Sequence, residues 1–360
     1  MSIHFHPLRV KEVRRETPSC VSVLFDVPEH LRETFKFRQG QSLTVRTQLG
    51  NAEVRRTYSL CSSPLDNQWR VAIKKVDGGL FSCYANDQLK PGDVLEVMPP
   101  VGTFFTDLHP DHKKNYLAFA AGSGITPVLS LIKTTLATEV QSRFTLIFGN
   151  RSRQEIIFLE ELEALKNEYP DRLQLLHILS RENVESSVLQ GRINTEKLQE
   201  LAQFIPFSQI DEFFICGPEK MIFAVKDFLE AGGVDKKKIH FELFTTPGQT
   251  PSSITRKPDI QGETTPASTI RIKLDGRTIE FQIPKGSDET LLDAALASGA
   301  DLPYACKGGV CCTCKAKLVQ GNVEMDVHWG LDDEEIKNGF ILTCQSHPRS
   351  ETVMVDFDQR

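Results

Sequence analysis

The sequence predicts a multidomain chain: an antiparallel β-barrel, an α/β domain on a parallel sheet, and a small α+β domain. Three observations predict it. Up to about residue 108, short strand-like runs are separated by turn signals. From 109 to about 247, apolar strand-like runs alternate with helical ones. Beyond a proline-containing stretch come an alternating hairpin and five of the nine cysteines. The length, 360 residues, accommodates two or three domains at about 150 residues each.

Each element has its own signal. In 1–108, Val21–Phe25, Ser42–Gln48, Val54–Ser59, Trp69–Lys75 and Val94–Met98 read as strands. Gly50-Asn51, Asp66-Asn67, Gly78-Gly79 and Pro91-Gly92-Asp93 punctuate them. Several short strands at this spacing make a small barrel. In 109–247, strands at Tyr116–Ala121, Phe144–Phe148, Leu173–Leu179, Glu212–Cys216 and Ile239–Phe244 alternate with helices such as Glu155–Lys166 and Glu219–Ala231. Such alternation means βαβ units and a parallel sheet. Residues 248–268 hold Pro251, Pro258 and Pro266 among Ser and Thr, and read as a semi-extended linker. In 269–360, Ile270, Ile272 and Leu274 alternate, Asp275-Gly276 turns, and Ile279, Phe281 and Ile283 alternate back. A helix follows at Thr290–Ser298, ended by Gly299.

The charge balance excludes some functions. With 42 Lys and Arg against 48 Asp and Glu, the chain lacks the cationic excess that general nucleic-acid binding needs. Residues 267–360 carry 10 basic against 15 acidic residues, so most of the acidity sits there. A docking face and a solvated acidic surface both fit that bias. Asn115–Ile132, interrupted by Gly122-Ser123-Gly124 and Pro127, reads as strand, turn and helix rather than a membrane span. The charged first 16 residues do not read as a secretory signal, which implies a cytoplasmic protein with no membrane partner.

Cys306, Cys311 and Cys314 form C-x4-C-x2-C, and Cys344 follows after 29 residues. This is the plant-type spacing for a [2Fe–2S] cluster on four thiolates. Gly308 and Gly309 allow the backbone to approach closely and aim N–H groups at the sulfurs. Structural zinc sites use paired knuckles, whereas three of these cysteines share one loop; zinc and plain free thiols are the competing readings. Cys312 is the odd one out and reads as small filler. The last 90 residues or so resemble plant-type ferredoxins of the β-grasp fold, and Leu342-Thr343-Cys344-Gln345 matches the usual surroundings of the fourth ligand.

Arg56-Thr57-Tyr58-Ser59 matches the R-x-Y-S pattern of the ferredoxin–NADP reductase family. The resemblance implies FAD on the barrel. Arg56 would neutralise the diphosphate, Tyr58 face the isoalloxazine and Ser59 bond near N5. Ile73-Lys74-Lys75-Val76 and Gly78-Gly79-Leu80-Phe81-Ser82 resemble the family's pyrophosphate segment, so Lys74, Gly79, Leu80 and Ser82 join the FAD set. Pro99, Gly102 and Phe104 resemble the barrel's closing strand. In Glu242-Leu243-Phe244, Phe244 either covers the flavin ring or packs in the core.

Ala121-Gly122-Ser123-Gly124-Ile125-Thr126-Pro127 follows a strand and opens a helix, with Thr126 as the expected N-cap and Pro127 as the first helical residue. The family resemblance makes Gly122, Gly124 and Thr126 nicotinamide-cofactor residues. It places Cys216-Gly217-Pro218 beside the nicotinamide C4, with Ser59 and Cys216 guiding the hydride. Ser180-Arg181 and Arg192, with Arg151, resemble the 2′-phosphate ligands of NADPH-using relatives, and imply NADPH with NADH as the alternative.

The order of domains resembles the reductase components of multicomponent oxygenases. Glu324-Met325 and Gly339 to Gln345 are most similar to the reductases of phenylacetyl-CoA epoxidases. That resemblance implies electron transfer from NADPH through FAD and a [2Fe–2S] cluster to a partner oxygenase, a di-iron multisubunit epoxidase. Two alternatives stand beside it. One is an NADH-dependent reductase of a ring-hydroxylating dioxygenase or other soluble monooxygenase. The other is a non-catalytic redox sensor.

Overall fold

Six strands build the first sheet of this computed structural model, which describes residues 4–184, 186–244, 267–284 and 286–359. They are β1 (His6–Thr17), β2 (Cys20–Asp26), β3 (Ser42–Leu49), β4 (Ala52–Ser59), β5 (Trp69–Lys74) and β6 (Val94–Val97), in spatial order β4-β3-β6-β1-β2-β5. β1 runs antiparallel to β2 and β6, and β2 to β5. A bridge between Leu60 and Val71 links the end of β4 to β5 and closes the sheet into a barrel. Leu8, Val10, Val23, Phe35, Leu43 and Val97 fill it, each buried side chain contributing about 1.5–3 kcal/mol. Helix α1 (Leu80–Asp87) follows β5.

β1, the longest strand, has no counterpart in the sequence reading. Leu8 and Val10 point inward, but Arg9, Lys11, Arg14 and Arg15 lie between and beyond them and mask the alternation. The expected closing strand around Gly102 is also corrected. Val101 makes one bridge to Ser42, and the chain then bends at Gly102 (φ +128°) instead of continuing a ladder.

The second sheet is wholly parallel, in order β11-β10-β7-β8-β9. Its strands are β7 (Asn115–Ala121), β8 (Arg143–Asn150), β9 (Leu173–Leu179), β10 (Glu212–Gly217) and β11 (Ile239–Leu243). Helices α2 (Ile125–Thr138), α3 (Leu159–Glu168), α4 (Thr195–Leu201) and α5 (Glu219–Ala231) connect them. Strand order reverses between β7 and β10, so the carboxyl ends of those two strands border the crevice where open α/β sheets bind ligands. The expected helix from Glu155 starts later. Arg153–Glu155 is a 3-10 turn and Phe158 is left-handed (φ 62°) before α3 begins.

The third sheet, β13-β12-β18-β14-β16, belongs to the C-terminal domain. It comprises β12 (Ser268–Leu274), β13 (Arg277–Ile283), β14 (Lys315–Gln320), β16 (Phe340–Leu342) and β18 (Thr352–Asp356). β15 (Val323–Met325) pairs with β17 (Ser346–Pro348). Helix α6 (Leu291–Ala297) is capped by the Thr290 side chain, and α7 (Asp333–Lys337) by a capping box from Asp332. β12 and β13 form the expected hairpin, with Asp275 and Gly276 both at positive φ, as a two-residue turn between twisted strands requires.

His6–Val54 with Tyr58–Phe244 form one compact unit; the described residues of Thr245–Arg360, with residues 4, 5 and Arg55–Thr57, are grouped apart from it. The linker expected at 248–268 lies outside the described residues except for its last two. Among the described residues, no helix is long and apolar enough to cross a membrane.

Candidate functional site

The switch point of the parallel sheet is built by close backbone approach. After β7 the chain makes a 3-10 turn, Gly122–Gly124, and enters α2 at Ile125. A Cβ on Gly124 would lie 2.0 Å from the Cys216 carbonyl oxygen, so only glycine fits against the end of β10. A Cβ on Gly217 would likewise lie 3.2 Å from the Ala121 backbone nitrogen. The helix therefore starts one residue before Thr126, which corrects the expected N-cap. The 3-10 turn takes over the entry, and Thr126 Oγ1 bonds back to the Ser123 carbonyl at 3.0 Å. Pro127 lies at the third helical position, and Pro218 is the N-cap of α5.

Across this switch point, β4 of the barrel meets β11. Ser59, 3 % exposed, donates from Oγ to Glu242 Oε2 at 3.1 Å. Burial pushes the Glu242 carboxyl up to about 7, although the Ser59 hydroxyl pulls it the other way. Glu242 is the register partner of Cys216 on β10. Burial, and the charge of Glu242, push the Cys216 thiol well up, so it stays protonated. One hydrogen bond across 183 positions and one register pair thus join Ser59, Glu242 and Cys216. Sequence reading singled out Phe244 from the Glu242-Leu243-Phe244 run and missed Glu242. The available signal was a lone acidic residue among the apolar Ile239, Phe241 and Leu243 of its strand.

The remaining flavin candidates line the barrel side. Tyr58 is half-buried, with its ring 5.6 Å from that of Phe81. Arg56 is half-buried on the same strand and donates to the Arg55 carbonyl. Gly79 caps α1, where a Cβ would meet Ser82 Oγ at 2.4 Å; Ser82 in turn accepts from the Val76 N–H. Leu80 and Phe244 are 56 % and 43 % exposed, apolar surface of the kind a bound ring system covers; Phe244 is not a core residue. Lys74 reaches toward the nucleotide domain. Its Nζ lies 3.6 Å from Glu155 Oε2 and 3.5 Å from a Cβ built on Gly122, over the glycine turn of the nucleotide domain.

The nucleotide candidates gather where β8 and β9 end. Ser180 donates its N–H to the Asn150 carbonyl, Arg181 to that of Arg151, and Gly191 to that of Leu179, which carries Arg192 to the same rim. Arg151, Arg181 and Arg192 are exposed, and none pairs with an acidic side chain among the described residues. Asn150 Nδ2 is buried there without a partner. Unpaired guanidiniums and an orphaned amide donor fit a phosphorylated nucleotide.

In the C-terminal domain the four cysteines meet two by two. A thiol–thiol hydrogen bond from Cys311 lowers Cys306 and raises Cys311, and the same bond between Cys344 and Cys314 lowers Cys314 and raises Cys344. Amides of Gly308, Val310 and Cys311 also favour the Cys306 thiolate, with Gly308 N 3.3 Å from its sulfur. Among the described residues no three metal-binding side chains converge on one ion position. Two pairs of thiols suit two irons, each taking two sulfurs, and the donor set fits a [2Fe–2S] cluster. Lys307, Gly309 and Cys312 all adopt positive φ to wrap this loop. Gly309 leaves no room for a Cβ, which would sit 2.6 Å from Val327 Cγ2. Cys312 is more than filler, since its thiol donates to the Gly330 carbonyl.

Known proteins agree with this division. The oxidoreductase FAD-binding domain family matches residues 7–106, the oxidoreductase NAD-binding domain family 119–227, and the 2Fe-2S iron-sulfur cluster binding domain family 272–349. The chain is 45% identical to one of the subunits of the 1,2-phenylacetyl-CoA epoxidase of Escherichia coli (strain K12), over 99% of this chain and 98% of that protein. It is 35% identical to the ferredoxin reductase component of 3-ketosteroid-9-alpha-monooxygenase of Rhodococcus rhodochrous, over 97% and 96%. The chain belongs to the FAD-, NAD- and [2Fe–2S]-binding oxygenase reductases. The fold of this oxygenase reductase also matches that of phthalate dioxygenase reductase, with a TM-score of 0.56 and 22% identity over 98% of both chains.

Proposed function

We propose that this oxygenase reductase takes electrons from NADPH and delivers them to a multisubunit di-iron oxygenase that epoxidises an aromatic acyl-CoA. The observation that carries the partner is the 45% identity, end to end, with a 1,2-phenylacetyl-CoA epoxidase component. FAD converts a two-electron hydride into single electrons, which a [2Fe–2S] cluster carries one at a time. The residues supply the rest. Arg56, Gly79 and Ser82 hold the flavin diphosphate, and Tyr58, Leu80 and Phe244 cover the ring. Glu242 keeps its carboxyl proton up to about pH 7 while its Oε2 accepts the Ser59 hydroxyl, so the pair could supply a proton to the flavin, and the neutral Cys216 thiol would help exclude water.

Gly122, Gly124, Thr126 and Lys74 receive the nucleotide pyrophosphate, with Gly217 and Pro218 bordering the nicotinamide. Arg151, Ser180, Arg181 and Arg192 favour a 2′-phosphate. Cys306, Cys311, Cys314 and Cys344 ligate the cluster. The ketosteroid relative, at 35% identity, favours a second reading in which the acceptor is another monooxygenase. Nine cysteines, none in a disulfide among the described residues, suit the reducing cytoplasm.

The test is an anaerobic titration of the purified holoprotein with NADPH and with NADH, followed by addition of the candidate oxygenases. Bleaching of flavin and cluster by NADPH, and reoxidation by the phenylacetyl-CoA epoxidase but not by the ketosteroid monooxygenase, is the expected result. Reoxidation only by the latter would replace the first reading with the second.

A further inference from the structure

Helix α2 does more than open at the glycine turn. Ser130, Lys133 and Thr134 share one of its faces and reach the loop after β4. Ser130 Oγ donates to the Ser62 carbonyl (2.6 Å) and Lys133 Nζ to Asp66 Oδ2 (2.6 Å), while the Thr134 hydroxyl pairs with Ser63 Oγ (2.9 Å) and bonds back to the Ser130 carbonyl (2.6 Å). Lys133 Nζ also donates to Glu161 Oε1 at 3.0 Å and so ties in α3. The Ser130 and Thr134 side chains are buried. The loop they grip is itself stiff. Ser63 and Asp66 form a capping box on Pro64–Asp66, and Ser62 Oγ donates to the Gln68 carbonyl and accepts from the Arg70 N–H.

At its other end α2 is seated by Gly124 against the Cys216 carbonyl. The gripped loop begins three residues after Ser59. A chain of stiff parts therefore runs from Ser59 through the loop, the seam and α2 to Cys216. Apolar packing alone tolerates sliding, whereas a satisfied polar seam admits one register.

We propose that Lys133, Ser130 and Thr134 are positioning residues for hydride transfer. The seam they form sets the angle at which the nucleotide domain presents a nicotinamide to a flavin on the barrel. The proposal rests on the reading that such a hydride transfer takes place in this half of the chain. None of the three residues belongs to the flavin, nucleotide or cluster sets above, so their effect is on geometry and not on affinity.

The experiment compares full-length holoprotein with Lys133→Met, with the double variant Ser130→Ala and Thr134→Val, and with the conservative Lys133→Arg. FAD content is matched first; if Lys133→Met does not retain FAD, the double variant carries the test. Anaerobic rapid mixing with NADPH follows the flavin absorbance. The limiting bleaching rate falls about 10- to 100-fold, the scale of a ~1 Å misplacement. The half-saturating NADPH concentration stays within about twofold, the split that separates positioning from binding. Lys133→Arg restores most of the rate. Hydrogen exchange at residues 60–66 speeds up in the impaired variants without nucleotide present. Unchanged bleaching and unchanged exchange at matched FAD content would overturn the proposal. Wild-type protein that neither NADPH nor NADH bleaches would overturn the underlying reading, and the role of the seam with it.

Discussion

In the proposed reading, the cluster loop and the switch point solve the same problem, holding a redox centre, with opposite materials. The cluster loop takes three of its four thiols from nine consecutive residues and aims its own amides at Cys306. The switch point takes Ser59 from the barrel and Cys216 and Glu242 from neighbouring parallel strands. A local loop writes its ligand geometry into residue spacing. An assembled site writes it into strand order and register, where single residues look ordinary. The two should also fail differently: loss of a loop ligand removes the centre, while loss of a switch-point residue leaves the centre bound and the chemistry slow.

The largest expected effect breaks the loop alone. Cys306→Ser or Cys344→Ser should abolish the cluster's visible absorbance and cut electron delivery to an oxygenase by more than about 100-fold, since each iron depends on its pair of thiolates. Flavin bleaching by nucleotide should persist in the same protein. Parallel loss of flavin bleaching would show that the two centres are not built independently.

Next comes the half-buried Glu242. Glu242 binds its proton in the folded protein up to about 7, against an ordinary value of 4.5. Between those values the fold holds a proton that the unfolded chain has lost, so Glu242 makes stability fall as pH rises through that window. Glu242→Gln removes the dependence. Relative to wild type it should gain up to about 3 kcal/mol between about pH 4 and pH 8 in urea unfolding. A constant difference across that range would mean the carboxyl titrates normally.

Ser59→Ala follows. It removes the one hydroxyl bonded to that carboxyl while leaving Tyr58 to face the flavin. Flavin bleaching should slow by about 100-fold with FAD still bound, the low end of the usual range for a lost proton-transfer group. FAD loss instead would make Ser59 a binding residue only.

The legibility of the molecule divides along the same line. The parallel strands and the C-terminal hairpin could be read directly, because buried strands and an Asp-Gly turn are local signals; the ligand role of the four cysteines is proposed on their spacing. β1 could not, because Arg9, Lys11, Arg14 and Arg15 hide the inward Leu8 and Val10. Thr126 looked like a cap because cap preference is a residue property. Whether the helix begins there depends on a 3-10 turn set by Gly124 packing against Cys216. Lys74 was assigned to the flavin by its segment, but its long side chain reaches the glycine turn of the next domain. Glu242 was missed because its raised proton affinity comes from burial in the folded chain, and its contact with Ser59 spans 183 positions.

The smallest expected effect sharpens the assembled side of the comparison. Arg181 and Arg192 reach one rim by separate routes, Arg181 through its N–H bond to the Arg151 carbonyl and Arg192 through Gly191 bonded to Leu179. Among the described residues neither guanidinium has an acidic partner, so each is placed to accept a phosphate. Arg181→Ala and Arg192→Ala should each lower the preference for NADPH over NADH by about tenfold, roughly 1.4 kcal/mol for one charge-assisted contact. Use of NADH should hardly change, because the lost contact is to a group NADH lacks. Because both arginines would touch the same phosphate, the double variant should fall short of the product of the two single effects. Binding of 2′-phospho-ADP-ribose, measured by calorimetry, reads the same contacts without turnover. Equal losses for NADH and NADPH would mean that the arginines support the rim and do not select the nucleotide.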